Sequence, residues 1–262
     1  MTANQDTEIK LKPRKRPLLW QAYLHWNELV ELRKRHLLRV SAIERGAANL
    51  DATFERNAME HMGIDTLITY AKKTMVGYGN ATAGPVWAWL TSIRGLGEGG
   101  LAAQLIAQID DIESFVTVSK LWRFCGYAVI DGQIERGVKG EKSHYNRRLK
   151  SICYLVADQF IKQQTSPYAE VYYEAKRQDR EAHPETLCRQ CGVPWEECKH
   201  KKAHARIYND GHIHHRAMRK MVKLFLSHLW SVWREAEDLP VTLPYAHAIL
   251  GHTHYVAPVS QE

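Results

Sequence analysis

Apolar residues recur three or four positions apart along most of this chain, the period of an amphipathic helix. From Leu18 to about Arg45 they fall at Leu19, Tyr23, Trp26, Val30, Leu37 and Val40, with Arg and Lys on the other face. This heptad-like stripe, interrupted at Arg33, predicts a long helical arm that either forms a dimerising coiled coil or packs on a core. Further helices are predicted at about 47–61, closed by Gly63, and at 65–76, between the N-cap residue Asp65 and Gly77. The turn formers of Gly77-Tyr-Gly-Asn-Ala-Thr-Ala-Gly-Pro85 read as a linker. Helices follow at 86–93, 100–110 and 118–125, the last capped by Thr117. Four glycines and the run Tyr127-Ala-Val-Ile130 make 126–145 a loop or small hairpin. The 145–163 helix places Leu149, Ile152, Cys153, Val156 and Phe160 on one face, and Pro167 opens another helix after Ser166. A last helix, from about His212 to Glu237, buries Met218, Met221, Val222, Phe225, Leu229 and Val232. The expected class is mainly α: a helical bundle with no internal repeat.

The 262 residues are 45% hydrophobic, enough for a packed core, which excludes global disorder. No apolar run approaches the roughly 18–20 residues of a membrane span, and the N-terminus lacks the pattern of an export signal. A soluble, cytoplasmic protein is expected.

The formal charge of +7 gains meaning from its location. The first 17 residues carry five Lys/Arg against two acids and read as a flexible basic arm. Residues 134–150 carry six against two, and 199–223 carry eight against Asp210 alone. These segments are net +3, +4 and +7, and the rest of the chain is net −7. Positive charge gathered in three segments is the signature of a polyanion-binding surface.

Ile93-Arg-Gly95-Leu96-Gly97-Glu-Gly99-Gly100-Leu-Ala102-Ala103 has a Gly-hydrophobic-Gly core between two helical patterns. In a helix-hairpin-helix such a turn removes the Cβ atoms that would keep phosphate from the N–H groups opening the second helix. DNA is then held by its backbone, without sequence readout. A plain helix-terminating turn is the other reading. A nucleotide cradle does not fit, because no strand precedes the turn and no Gly-Lys-Ser/Thr follows it. Asp110 and Asp111, at the far end of the second helix, must face away from phosphate.

The run from Gly95-Leu-Gly97 through Leu101 to Asp111-Ile, then Phe115, then Leu121-Trp-Arg-Phe-Cys-Gly126-Tyr resembles the C-terminal domain of the DEDD-type, bridge-RNA-guided insertion-sequence transposases. The likeness resumes at Asn146-Arg-Arg-Leu149 and at Arg216 to Arg234, covering roughly 85–236. Residues 18–80 are similar to the coiled-coil linker that precedes that domain. The resemblance implies DNA as partner, structured RNA as a second ligand, and a homodimer or larger assembly through the N-terminal helices. The chain departs from the family in two ways. Members begin with a ribonuclease-H-like domain of four acidic metal ligands, whereas only the basic arm precedes Leu18 here. Their nucleophilic serine follows the Gly126 equivalent, whereas the first serine here is Ser143, beside His144. Ser143 is therefore either a displaced nucleophile or a loop residue. The expected nucleic-acid contacts are Gly95, Gly97, Gly99, Gly100, Arg136, Lys139, Lys142, Arg147, Arg148, Arg216, Arg219 and Lys220. DNA binding without autonomous strand chemistry is expected, in a nucleoid-associated protein; an active recombinase completed by a partner is the alternative.

Three of the five cysteines crowd together. Cys188-Arg-Gln-Cys191-Gly192 is a knuckle: two thiolates two residues apart grip one tetrahedral ion, and the glycine permits a tight return. Cys198 and His204 complete a closed structural Zn²⁺ site, with His200 and His183 as alternative imidazoles. His212, His214 and His215 are spaced wrongly to share one ion, and His228 reads as a core histidine. The expected organisation is a basic arm at 1–17, a coiled-coil-like region at 18–84, the transposase-like domain at 85–236 with a zinc-knuckle insertion at 184–206, and a tail at 237–262.

Overall fold

The computed structural model describes residues 13–97, 99–130, 133–134, 140, 143–164, 166–184, 186–207, 209–242 and 258. Among them are eight α-helices: α1 Pro17–Glu44, α2 Ala52–His61, α3 Ile64–Ser92, α4 Gly100–Ile109, α5 Val118–Phe124, α6 Arg147–Gln163, α7 Pro167–Ala182 and α8 Asp210–Ala236. One two-stranded hairpin, β1 Val129–Ile130 and β2 Gln133–Ile134, pairs antiparallel between α5 and α6. The mainly helical class follows the periodicity of the sequence.

The long helix α1 finds its partner within the same chain. It packs antiparallel on α3: Arg16 Nε donates to the Thr82 carbonyl (3.3 Å) at one end, and Arg33 pairs with Asp65 (2.6 Å) at the other. Of its stripe, Leu19, Tyr23 and Val40 are buried, whereas Leu37 remains exposed. Across this pair lies α2, clamped where His36 and Arg39 reach the buried Glu55 at 2.9 and 2.7 Å. Hydrogen bonds from Arg39, then His36, hold the Glu55 carboxyl below its usual range.

The predicted linker is helix. Residues 77–83 continue α3, and a kink at Gly84 (φ 47°, ψ −125°) before Pro85 divides it. Met75, Gly79, Ala83 and Val86 are buried along one side, so the small residues that read as turn formers allow close approach. A Cβ on Gly79 would lie 2.4 Å from the Trp87 ring, which the kink folds back onto it. Packing here outweighs a local helix propensity that is poor by about 1 kcal/mol per glycine.

The most enclosed helix is α4, buried from Ala102 to Ile109 and packed on α1, α3 and α6. Opposite it, Phe225 of α8 stacks on Trp89 (6.1 Å, 11°) and meets Phe160 and Tyr168 edge-on at 5.4 and 5.6 Å. Trp230 Nε1 donates to the Phe115 carbonyl (2.6 Å), satisfying a fully enclosed indole.

The end of the predicted free arm is anchored. Lys15 pairs with Asp111 (2.9 Å), Glu237 (3.2 Å) and Glu113 (3.5 Å), and Arg16 pairs with Glu237 (3.1 Å). The backbone N–H groups of Lys15 and Arg16 donate to the Asp110 carboxylate at 3.3 and 3.1 Å. The acidic end of α4 thus faces protein cations instead of phosphate. Residues 1–12 and 243–257, most of the predicted arm and tail, lie outside the described residues. None of the described helices is long and apolar enough to cross a membrane.

Candidate functional site

Between α7 and α8 the chain builds a small module around sulfur. Leu187 bridges Pro194 and Cys188 bridges Arg206, so the Cys188 segment lies between two others. The Gly192 N–H donates to the Cys188 carbonyl (2.9 Å) with Gly192 at φ 71°, the left-handed return that glycine adopts without penalty. A 3-10 turn at Trp195–Glu197 delivers Cys198, and a turn closed by the His204 N–H on the His200 carbonyl (2.9 Å) delivers His204.

The four donor atoms of Cys188, Cys191, Cys198 and His204 lie within 4.8 Å of one another, a group that can hold a metal ion. Sγ of Cys191 stands 3.1 Å from that of Cys188 and 3.7 Å from that of Cys198. His204 Nδ1 is 3.4, 3.3 and 3.6 Å from the Cys188, Cys191 and Cys198 sulfurs. His200 packs beside His204, ring centroids 5.2 Å apart, and is exposed; neither it nor His183 belongs to the group. Without metal the thiols share protons unequally. Burial raises Cys188, but hydrogen bonds from Cys191 and the Gln190 backbone outweigh it and bring the thiol down to about 6. Cys191, donating to that thiolate, is pushed up to about 12. By contrast, Cys125 is enclosed in the helical core, where burial raises its thiol well above the ordinary range.

The glycine turn joins the second half of α3 to α4. Gly95, Gly97 and Gly99 all have positive φ, at 103°, 52° and 84°. Their surroundings differ. A Cβ on Gly99 would sit 2.5 Å from the Trp87 ring that Gly79 also approaches, and Gly95 faces Phe160 and the Gln159 carbonyl. Gly97 meets nothing within 4 Å and is exposed. Two of these glycines therefore serve packing, and Gly97 leaves the turn open to solvent. Beside it is a groove of about 490 Å³ lined by Lys72, Arg94, Gly95, Gly97, Gly100, Gln159 and Gln163. Lys72 was not legible as a site residue, because only the α3 kink brings it beside Gly100; Arg94 lies inside the motif itself.

Ser143 caps its own turn: its Oγ donates to the Tyr145 carbonyl (3.0 Å) and accepts from the Tyr145 N–H (3.4 Å). His144 is exposed. Asn146 caps α6 by accepting from the Leu149 N–H (3.0 Å), and its Nδ2 donates to Gln108 (2.8 Å). Arg147 and Arg148 are exposed at the start of α6. The glycine turn contacts Gln159 and Gln163 near the other end of that helix, so the two basic features stand roughly 20 Å apart at 1.5 Å per residue. Arg136, Lys139 and Lys142 lie outside the described residues.

On α8, Lys220 is exposed, whereas Arg216 is half-buried in a 3.2 Å ion pair with the buried Asp179. Arg219 stands near the enclosed Tyr127. Lys223 lies 3.9 Å over the Trp122 ring, and burial lowers its ammonium below the ordinary range. Part of the predicted basic stripe is thus committed to the bundle. His214 bonds the Tyr172 hydroxyl (2.6 Å), and His228 the buried Tyr168 hydroxyl (2.8 Å).

No protein-family model matches the chain, and neither a curated protein nor a solved structure does.

Proposed function

We propose that this is a DNA-binding protein of transposase type that grips the phosphate backbone at a helix-hairpin-helix turn and carries a structural Zn²⁺ ion. The observation that carries the DNA reading is the open side of Gly97, just ahead of α4, in a groove that Lys72, Arg94 and the partly exposed Gly100 and Leu101 also line. Free N–H groups and a positive helix end favour a phosphate there, and two cations add to the attraction. Arg147 and Arg148, exposed at the start of α6, extend the basic surface away from the turn. The family resemblance supports the reading, with structured RNA as the competing ligand and the nucleoid as the place of action. Exposed Leu37, Leu38, Leu67 and Tyr70 on α1 and α3 support self-association through the N-terminal helices.

Zinc is favoured by the donors. A tetrahedron with Zn–S near 2.3 Å and Zn–N near 2.0 Å has edges of about 3.8 and 3.5 Å. Five of the six donor separations, at 3.1–3.7 Å, fall close to these, and the remaining Cys188–Cys198 pair lies within 4.8 Å. Four protein ligands leave no position for substrate, so the ion's part is to fold the module. Strand chemistry has no assigned nucleophile, since the Ser143 hydroxyl is spent on its own turn.

The test is fluorescence anisotropy on duplex DNA at stated salt, with Lys72→Glu/Arg94→Glu. We expect the variant to bind at least tenfold more weakly on every sequence; equal binding sinks the assignment of the turn. Purified wild-type protein that cuts or joins DNA in Mg²⁺ overturns the non-catalytic reading.

A further inference from the structure

The metal ligands close a lysine turn. Cys198 and His204 stand at the two ends of Cys198-Lys-His-Lys-Lys-Ala-His204, and the Ala203 and His204 N–H groups both donate to the His200 carbonyl at 2.9 Å. Lys199, Lys201 and Lys202 are all exposed on this turn. Lys201 pairs with Glu196 (3.3 Å), whereas Lys199 and Lys202 have no ion pair among the described residues. Arg189 is exposed on the adjoining segment, its N–H bonded to the Ala205 carbonyl (2.8 Å), which sets it beside the end of the same turn.

No described residue of 186–207 belongs to the hydrophobic core. An ion held by these four donors would therefore order this surface more than the core of the bundle. A loop holding three cations in four residues repels itself when free, and closing both its ends on one ion offsets that repulsion in advance of binding.

We propose that the lysine turn is a second contact for the phosphodiester backbone of duplex DNA, made competent by the metal. This rests on the DNA-binding reading above and assigns Lys199, Lys202 and Arg189 to a contact separate from the glycine turn.

The experiment compares wild type with Lys199→Glu/Lys202→Glu by anisotropy on a duplex of about 25 base pairs over a salt series, with zinc content measured on both. Each lost phosphate contact removes roughly 0.9 from the slope of log K against log salt. The expected variant keeps its zinc, binds at least tenfold more weakly at about 100 mM salt, and has a slope shallower by about two. Chelation weakens the wild type to a similar degree and the variant little further. Should the charge reversal lower zinc content, Lys199→Gln/Lys202→Gln is measured instead. A zinc-replete variant within twofold of a wild type that itself binds DNA overturns the lysine turn and leaves the glycine turn standing. Wild type that fails to bind any duplex overturns the underlying reading. A loss confined to structured RNA overturns DNA as the ligand of this surface.

Discussion

Gly97 and Gly99 share a turn and a left-handed backbone, yet they answer to different demands. At Gly97 a methyl group meets open space, and only the backbone penalty of about 1–2 kcal/mol opposes it. At Gly99 the same methyl drives into Trp87, adding an overpacking cost of about 1–3 kcal/mol. Denaturant titration should place Gly99→Ala clearly below Gly97→Ala in stability; equal losses would mean that Trp87 yields freely. The sequence exhibits both glycines as one motif, because Trp87, the partner that distinguishes them, stands apart from the motif along the chain and meets Gly99 only once the turn has folded. At the metal centre the opposite holds. Cys191→Ser removes one of the four proposed ligands, at an exposed position, and elemental analysis should find bound metal below a tenth of stoichiometric. Retained stoichiometric metal would exclude Cys191 as a ligand. Here the spacing of the donors was legible, since the chain brings them together locally.

Among elements, the corner where the start of α1 meets the ends of α4 and α8 is held by charge. Glu237 accepts from Trp233 Nε1 (2.8 Å) and pairs with Lys15 and Arg16. Burial alone raises its carboxyl, but the hydrogen bonds from Trp233, Arg16 and Lys15 win and hold it below the ordinary 4.5. A carboxylate lowered on folding stabilises above its unfolded value and loses that contribution as pH falls through the folded one. Glu237→Gln keeps an acceptor for the indole and removes the charge, so it should cost about 1 kcal/mol at neutral pH, partial exposure of Lys15 limiting the loss. The gap between variant and wild type should narrow as pH falls below the ordinary 4.5 and close in strong acid, as followed by urea unfolding across pH. A gap unchanged in strong acid would contradict the ion-paired corner. This contact was not legible, because the basic residues near 15 and the acids near 110 and 237 are unrelated in sequence and meet only when α1 docks.

For the molecule as a whole, the bundle and the cysteine module proposed to hold a metal rest on different physics. Phe225 touches rings from α3, α6 and α7 and is wholly enclosed, so Phe225→Ala should destabilise by about 3–5 kcal/mol in thermal unfolding. Removing the metal should leave the helical circular-dichroism signal nearly intact while amide exchange rises over 186–207, since that segment shares no core with the helices. Loss of the helical signal on chelation would show that module and bundle fold together.

The sequence by itself determined what is local. Helical period gave the elements within a few residues at most ends, and donor spacing gave the sulfur cluster, because both depend on neighbours close along the chain. Only tertiary structure decided the rest. It turned Gly77–Gly84 from linker into helix by packing Gly79 on Trp87, and it paired the end of the basic arm with the acids of α4 and α8. It also committed Arg216 and Lys223 to Asp179 and Trp122, leaving the exposed cations elsewhere. In each case burial or charge pairing between distant segments outweighed a local preference of about 1 kcal/mol, a comparison that no window of sequence contains.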